Sequence, residues 1–337
     1  MRTLRKMLIT SLIILFATIV LAEAVLHVTN SIYPLERPGP LLDTYKNQLL
    51  EGEWLNGITR FYTYEPNTDG TTYGHPFHVN RWGVRGRDFL ERDLEGEATF
   101  RIMVLGDSVT SGIGIAEEDR YTNVLETKLH ERYPRLKIEI ISLGVQGFET
   151  LQEERMMYRM WSSIRPNLAI VGFYINDPNV TYDHYLPYKI QVPEFILMLL
   201  KRSLLFRQVE PLYDVAYRKF KQIPSFKEVQ DRAYNSDSRD WKVFERSVHN
   251  IGNWVREHTG QAPVVIFLAD VEAARIAGKY EGVRNTFIRE RYIWCEIEPG
   301  NYFPVSRFEN HPNEKSHSLY ADALFKTIVE HNLIPER

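Results

Sequence analysis

Residues Phe100 to Gly114 read FRIMVLGDSVTSGIG, an apolar run that stops on Gly106-Asp107-Ser108 and continues into small residues and glycine. The run suits a buried strand and the residues after it suit a helix start, so Ser108 is expected where a parallel strand ends. Open α/β sheets bind ligands at the carboxyl ends of their strands. A serine on a sharp strand-to-helix turn presents its hydroxyl there, beside N–H groups able to face an oxyanion. The same residues would also make a plain tight turn with Ser108 as an ordinary N-cap.

The far end of the chain supplies a partner. Glu309-Asn310-His311-Pro312-Asn313 precedes Leu319, Ala323, Leu324 and Ile328, which recur near helical spacing, so His311 is expected in a loop entering the final helix. Serine is a poor nucleophile until a base takes its proton, and an imidazole works better when a carboxylate fixes its tautomer. Glu309, two residues earlier, is the candidate carboxylate. By itself a Glu-x-His is commonly just a helix-entry loop.

Two middle segments offer donors for a developing negative charge. Lys137 to Leu143 alternates into an apolar strand and ends in Gly144-Val145-Gln146-Gly147, whose glycines allow close backbone approach. Leu168 to Ile175 is a near-continuous apolar strand that stops on Asn176-Asp177-Pro178. A side-chain amide at that strand end can join backbone N–H groups in an oxyanion hole. Each also has a plain reading, since glycines shape turns and Asn-Asp-Pro stops strands.

In this order, Gly-Asp-Ser, the strand-end glycines, the strand-end Asn-Asp and His-Pro-Asn resemble the four sequence blocks of the SGNH, or GDSL-type, hydrolases. The resemblance covers most of Asn80 to Leu333, with a poorly matched stretch in the middle. It implies Ser108 as nucleophile, His311 as base, and Ser108 N–H, Gly147 N–H and the Asn176 side chain as oxyanion donors. Gly147 is preferred to Gly144 because the family's block places the donor glycine five residues beyond an Asn-like strand-end position, here Ser142. Many family members carry Asp three residues before the histidine. Phe308 stands there in this chain, which leaves Glu309 at minus two, a position some relatives use.

Composition frames these motifs. The chain has 337 residues, 44% hydrophobic and 25% charged, enough for a sizeable core and inconsistent with disorder. Acids and bases are interspersed at a formal net charge of -3, so no basic stripe invites nucleic acid. Cys295 is the only cysteine, which excludes an internal disulfide and a cysteine-cluster metal site. His75 and His78, three apart across a proline in an extended segment, fit packing or turn roles better than metal ligation. Neither a metal nor an organic cofactor is implied.

At the amino end, Arg2, Arg5 and Lys6 precede an apolar run from Met7 to Ala22. With Ala24 and Val25 it reaches the roughly 17 to 20 residues that span a bilayer, if Glu23 lies near the interface. The run is long for a signal peptide and is read as an uncleaved single-pass anchor. Ala22-Glu23-Ala24 fits a small-x-small cleavage pattern, so secretion after cleavage is the alternative. Positive residues before the span place the amino terminus in the cytoplasm and the catalytic part outside.

The expected layout is an anchor or signal segment over 1–29, a juxtamembrane linker and irregular extension over 30–98, and a hydrolase domain over 99–337. That domain carries an insert at about 188–258. Within the insert, Phe195 to Leu200 followed by Lys201, Arg202 and Leu204 to Phe206 can form a basic amphipathic helix, as a lid, a membrane contact or ordinary packing. Tyr121, Val124, Leu125 and Leu129 predict one helix before Pro134. Leu151, Met156, Met157, Met160 and Trp161 predict a second before Pro166, while Pro263 to Leu268 and Tyr292 to Cys295 predict further strands. This alternation implies α/β architecture with a parallel sheet and helices on both faces, and the resemblance sharpens it to a three-layer α/β/α sandwich, SGNH/flavodoxin-like, behind a transmembrane helix. The function expected from the resemblance is a membrane-anchored esterase acting through an acyl-serine, with an acyl ester of an envelope glycan or lipid as substrate. An O-acyltransferase acting on an envelope glycan, and a non-catalytic binding protein of the same fold, are the alternatives.

Overall fold

The computed structural model describes residues 2–32, 49–50, 53–89, 99–180, 203–206, 216, 219–220, 224, 226–306 and 309–335. Two compact units divide the chain, Met1–Leu42 with Pro187–Ser225, and Asp43–Leu186 with Phe226–Arg337. The expected helix at Phe195 to Phe206 lies outside the described residues except for its last four positions.

In the first unit, helix α1 spans Arg2–Ile32. Its segment Lys6–Thr29 has a mean hydropathy of 2.5 and is wholly unburied. By length and composition it can cross a membrane, as a signal sequence also can. The helix continues through Glu23. That carboxylate accepts hydrogen bonds from Ser203 Oγ (2.8 Å), Leu204 N (2.6 Å) and Leu205 N (2.9 Å).

The second unit begins with short antiparallel strands, β1 Leu49–Leu50, β2 Trp54–Leu55, β3 Thr59–Arg60, β4 Thr63–Tyr64, β5 Thr68–Thr72 and β6 His75–Val79. They pair as β1-β4, β2-β3 and β5-β6. The sequence predicts an irregular extension here with a short strand and turn within Tyr73 to Asp88; β6 is a strand in that stretch, and the other short strands are additional to the prediction. Tyr73 and Gly74, at φ 46° and 86°, make the two-residue turn between β5 and β6, where positive φ at both positions matches the strand twist. Strands of two residues carry no period for a sequence pattern to reveal.

The body then alternates: β7 Thr99–Gly106, α2 Ser108–Ser111, α3 Tyr121–Arg132, β8 Lys137–Ser142, α4 Thr150–Ile164, β9 Leu168–Phe173, α5 Phe226–Ala233, α6 Arg239–Thr259, β10 Val264–Phe267, α7 Val271–Ile276, α8 Tyr280–Arg289, β11 Ile293–Glu296, β12 Pro304–Ser306, β13 Glu309–Pro312 and α9 Glu314–Glu330. Strands β7 to β11 form one parallel sheet in the order β11-β10-β9-β7-β8. Alternate residues of each strand enter opposite cores. Met103, Leu105, Val171, Phe173 and Phe267 pack with α4, α6 and α8 on one face. Ile102, Val104, Ile138, Ile170 and Ile266 pack with α3 and α9 on the other. Strands covered on both faces read as continuous apolar runs, which is why the sequence shows them clearly.

Numbered along the sheet's own strands, that order is 2-1-3-4-5, so the winding reverses between β7 and β9. A crevice opens at the carboxyl ends of such a pair because the connections leave toward opposite faces. Ser108 follows β7, and Asn176 follows β9.

Candidate functional site

Ser108 opens the single turn of α2. Asp107 is its N-cap, with Oδ1 accepting the Val109 N–H at 2.9 Å, and Gly112 ends it at φ 77°. The turn before it must be glycine: a Cβ on Gly106 would lie 2.0 Å from Thr110 Oγ1, whose hydroxyl is 2.8 Å from Tyr121 OH. Ser108 is 7% exposed.

His311 Nε2 lies 2.9 Å from Ser108 Oγ, across 203 residues of sequence. It does not sit in the expected loop. It belongs to β13, which pairs antiparallel with β12 through Pro304↔Pro312 and Ser306↔Glu309. A ribbon this short with proline at two paired positions gives no alternating pattern, so the sequence reading missed it. Its base is tied to α9: Asn313 N donates to Phe303 O (2.8 Å), Ser316 Oγ accepts Phe303 N–H (2.7 Å), and Tyr302 OH donates to Asn310 O. Glu309 pairs through its backbone, and its side chain lies outside the described residues, as does Phe308.

Gly147 follows β8 in the turn 144–149, at φ 76°. Neither its N–H nor that of Ser108 meets an acceptor among the described residues. Asn176, 5% exposed, donates from Nδ2 to Phe148 O at 2.8 Å. Phe148 O can only accept, which fixes the orientation of the amide and leaves its second N–H for another partner. Gly144 has a different part: a Cβ there would lie 2.4 Å from Ser111 N, so this glycine lets the β8 turn close on α2.

One buried acid touches the serine, and two more interact electrostatically with that acid. Asp107 is 1% exposed, with Oδ2 3.3 Å from Ser108 Oγ. Burial pushes its carboxyl up to about 6, against the Val109 N–H and the charge of His311, which both favour the carboxylate. Glu153 and Asp177 are also buried, and among the described residues none of their carboxyl oxygens has a hydrogen-bond partner. Burial, then the charge of Asp107, raises Glu153 well above the usual carboxylate range. Asp177 is raised by burial first, then by Glu153 and Asp107.

The sequence reading did not single out Tyr62, Tyr64 or Arg85, which reach this region from the amino-terminal extension. Arg85 donates to the carbonyls of Ser111 (3.2 Å), Gly112 and Ile115 (3.0 Å), at and after the end of α2. Tyr62 OH donates to Gln146 O at 2.7 Å, and Tyr64 OH accepts the Gln146 N–H at 2.9 Å. The sequence signal available for the two tyrosines is the run Phe61-Tyr62-Thr63-Tyr64, and Arg85 has none. His78 Nδ1 is 2.7 Å from Asp69 Oδ1 across the β5-β6 hairpin. Among the described residues no group of histidine, cysteine or acid side chains has the geometry to hold a metal ion.

No protein-family model and no curated protein matches the chain. Solved structures do resemble it. A lipase, Lip_vut3, from a goat rumen metagenome is 14% identical over 68% of this chain and 97% of its own, at a TM-score of 0.43. The psychrotrophic esterase EstA from Pseudoalteromonas sp. is 10% identical over 69% and 98%, at 0.41. A protein from Desulfitobacterium hafniense DCB-2 assigned to the G-D-S-L lipolytic family is 10% identical over 68% and 99%, at 0.37.

Proposed function

We propose that this chain is an SGNH-type serine hydrolase that cleaves an acyl ester through an acyl-serine intermediate. The carrying observation is the 2.9 Å separation of Ser108 Oγ and His311 Nε2 at the switch point of the parallel sheet. In this reading the Ser108 hydroxyl proton passes to His311 Nε2 as Oγ attacks the ester carbonyl carbon. The negative charge that develops on the carbonyl oxygen is met by Ser108 N–H, Gly147 N–H and the second N–H of Asn176 Nδ2. Each such donor contributes ~10²- to 10³-fold to the rate. His311 returns the proton to the leaving alkoxide, and water then releases the acyl group by the same steps in reverse. Glu309 is proposed to orient the imidazole.

The apolar α1, flanked by Arg2, Arg5 and Lys6, supports an anchor with the catalytic body outside the cytoplasm, where acyl groups on envelope polysaccharide or lipid are the accessible esters. The test is hydrolysis of a series of p-nitrophenyl acyl esters by the detergent-solubilised full chain, with and without a sugar acceptor. Free acid as product in both cases, and no turnover by Ser108→Ala, is the expected result. Acylated sugar as the main product would make the chain a transferase, and undiminished turnover by Ser108→Ala would remove the assignment.

A further inference from the structure

A trans peptide is planar, so the C=O of one residue and the N–H of the next point in opposite directions from one rigid unit. Gly147 N–H, the proposed oxyanion donor, therefore shares its plane with Gln146 C=O. Whatever fixes that carbonyl fixes the direction of the N–H. Gly147 stands at φ 76° and has no side chain to hold the unit in place, so rotation of this peptide is sterically open.

The group that fixes it comes from the amino-terminal extension, remote in sequence from every catalytic motif. Tyr62 OH donates to Gln146 O at 2.7 Å, across 84 residues. The Tyr62 ring, 4% exposed, packs edge-on against Phe148 with centroids 5.3 Å apart, so the hydroxyl is delivered from a fixed platform. Tyr64 acts on the preceding peptide: its OH accepts the Gln146 N–H, and burial pushes it up to about 12, so it remains a neutral hydroxyl through the physiological range. The two tyrosines hold opposite ends of Gln146, and Tyr62 bonds the peptide that carries the donor.

We propose that Tyr62 is a positioning residue for ester cleavage, its hydroxyl holding the Gln146 carbonyl away from the site so that the Gly147 N–H faces the oxyanion. This rests on the hydrolase reading and extends it to a part of the chain outside the four sequence blocks. A hydrogen bond to the carbonyl also polarises the amide and makes its N–H a better donor. The function falls on the transition state, because the charge that Gly147 meets is small on the ester and full on the tetrahedral intermediate.

The experiment compares Tyr62→Phe and Tyr64→Phe with the full-length wild type, measuring kcat and KM on a p-nitrophenyl ester, the rate of phosphonylation of Ser108 by a fluorophosphonate, and Tm. Tyr62→Phe is expected to lower kcat and the phosphonylation rate together by ~10- to 100-fold with KM within ~3-fold of wild type. Tyr64→Phe is expected to change kcat less, despite its deeper burial. A role in packing alone would instead shift Tm and leave the two rates near wild type in the folded fraction. If the wild type labels at Ser108 and Tyr62→Phe keeps both rates, the positioning role is overturned while the hydrolase reading stands. If the wild type neither labels nor hydrolyses, both fall.

Discussion

Ser108 and His311 meet at 2.9 Å, yet the two regions that deliver them are built by different means. Ser108 sits on the sheet's central strands. Residues 102–105 are fully buried, Leu143 N donates to Val104 O, Val145 N donates to Gly106 O, and Arg85 gathers carbonyls at and after the end of α2. His311 stands on a ribbon of two short strands outside that sheet, held at its base by Phe303, Asn313 and Ser316. The proposed nucleophile is thus placed by the global fold, and the proposed base by a local device attached to one helix. Errors in the first region should spread, whereas errors in the second should stay at the site.

The largest effect should come from the two reacting groups. Ser108→Ala and His311→Ala are each expected to cut turnover by roughly 10⁴-fold or more, since nucleophile and base act as a unit. Tm should hold in both, because neither side chain carries packing. Residual turnover in His311→Ala near the wild-type level would show that another group serves as base.

Next comes a change confined to the sheet side. Gly144→Ala places a Cβ 2.4 Å from Ser111 N and 2.7 Å from Thr110 C, both backbone atoms that cannot swing aside. Overpacking of this kind costs about 3 kcal/mol or more, and at ~2 to 4 °C per kcal/mol Tm should drop by roughly 6 °C or more. Activity should fall with it. An unchanged Tm would mean that the strand-end region yields more easily than its packing implies.

The buried acids give a pH-dependent contrast. Glu153 has a folded pKa raised above its unfolded value of about 4.5, so the stability its neutral form contributes is complete below that pH. It is lost as pH rises through the raised value. Thermal melts from pH 5 to pH 9 should therefore fall more steeply for the wild type than for Glu153→Gln, with the variant ahead at the alkaline end. Asp177 and Asp107 are raised too, so some slope should remain in the variant. Parallel curves would count against a raised carboxyl at Glu153.

The smallest effect should come from the base's own support. Asn313 caps α9 by accepting the N–H groups of Lys315 (3.0 Å) and Ser316 (3.2 Å). Loss of the cap in Asn313→Ala should cost about 1 kcal/mol. Melts and kcat measured together should show a modest fall in both, since the same residue ends the ribbon that carries His311. A kcat loss as large as that of His311→Ala would make Asn313 a participant instead of a support.

Legibility in the sequence divides along the same line. The central strands β7, β9 and β10 are buried throughout and have continuous apolar runs, the edge strand β8 alternates, and Ser108, Gly147 and Asn176 follow strands whose ends punctuation residues mark plainly. The short pairings did not show, because β2, β3, β12 and β13 have two to four residues each and no period. Nor did the long-range hydrogen bonds of Tyr62, Tyr64 and Arg85, which depend on where the hairpins of residues 53–89 come to rest. The second histidine of the region illustrates the limit. His317, six residues beyond His311, is fully buried, its Nδ1 accepts the Tyr121 N–H at 3.1 Å, and burial lowers it to about 3. Only its placement on the inner face of α9 separates this structural imidazole from the one that meets Ser108.

The most direct test of the pairing of Ser108 with His311 is peptide mapping of the full chain by mass spectrometry after fluorophosphonate treatment. The phosphonyl adduct should appear on the peptide containing Ser108 in the wild type and be strongly reduced in His311→Ala at equal exposure. An adduct on a different residue, or equal labelling of Ser108 with and without the imidazole, would contradict it.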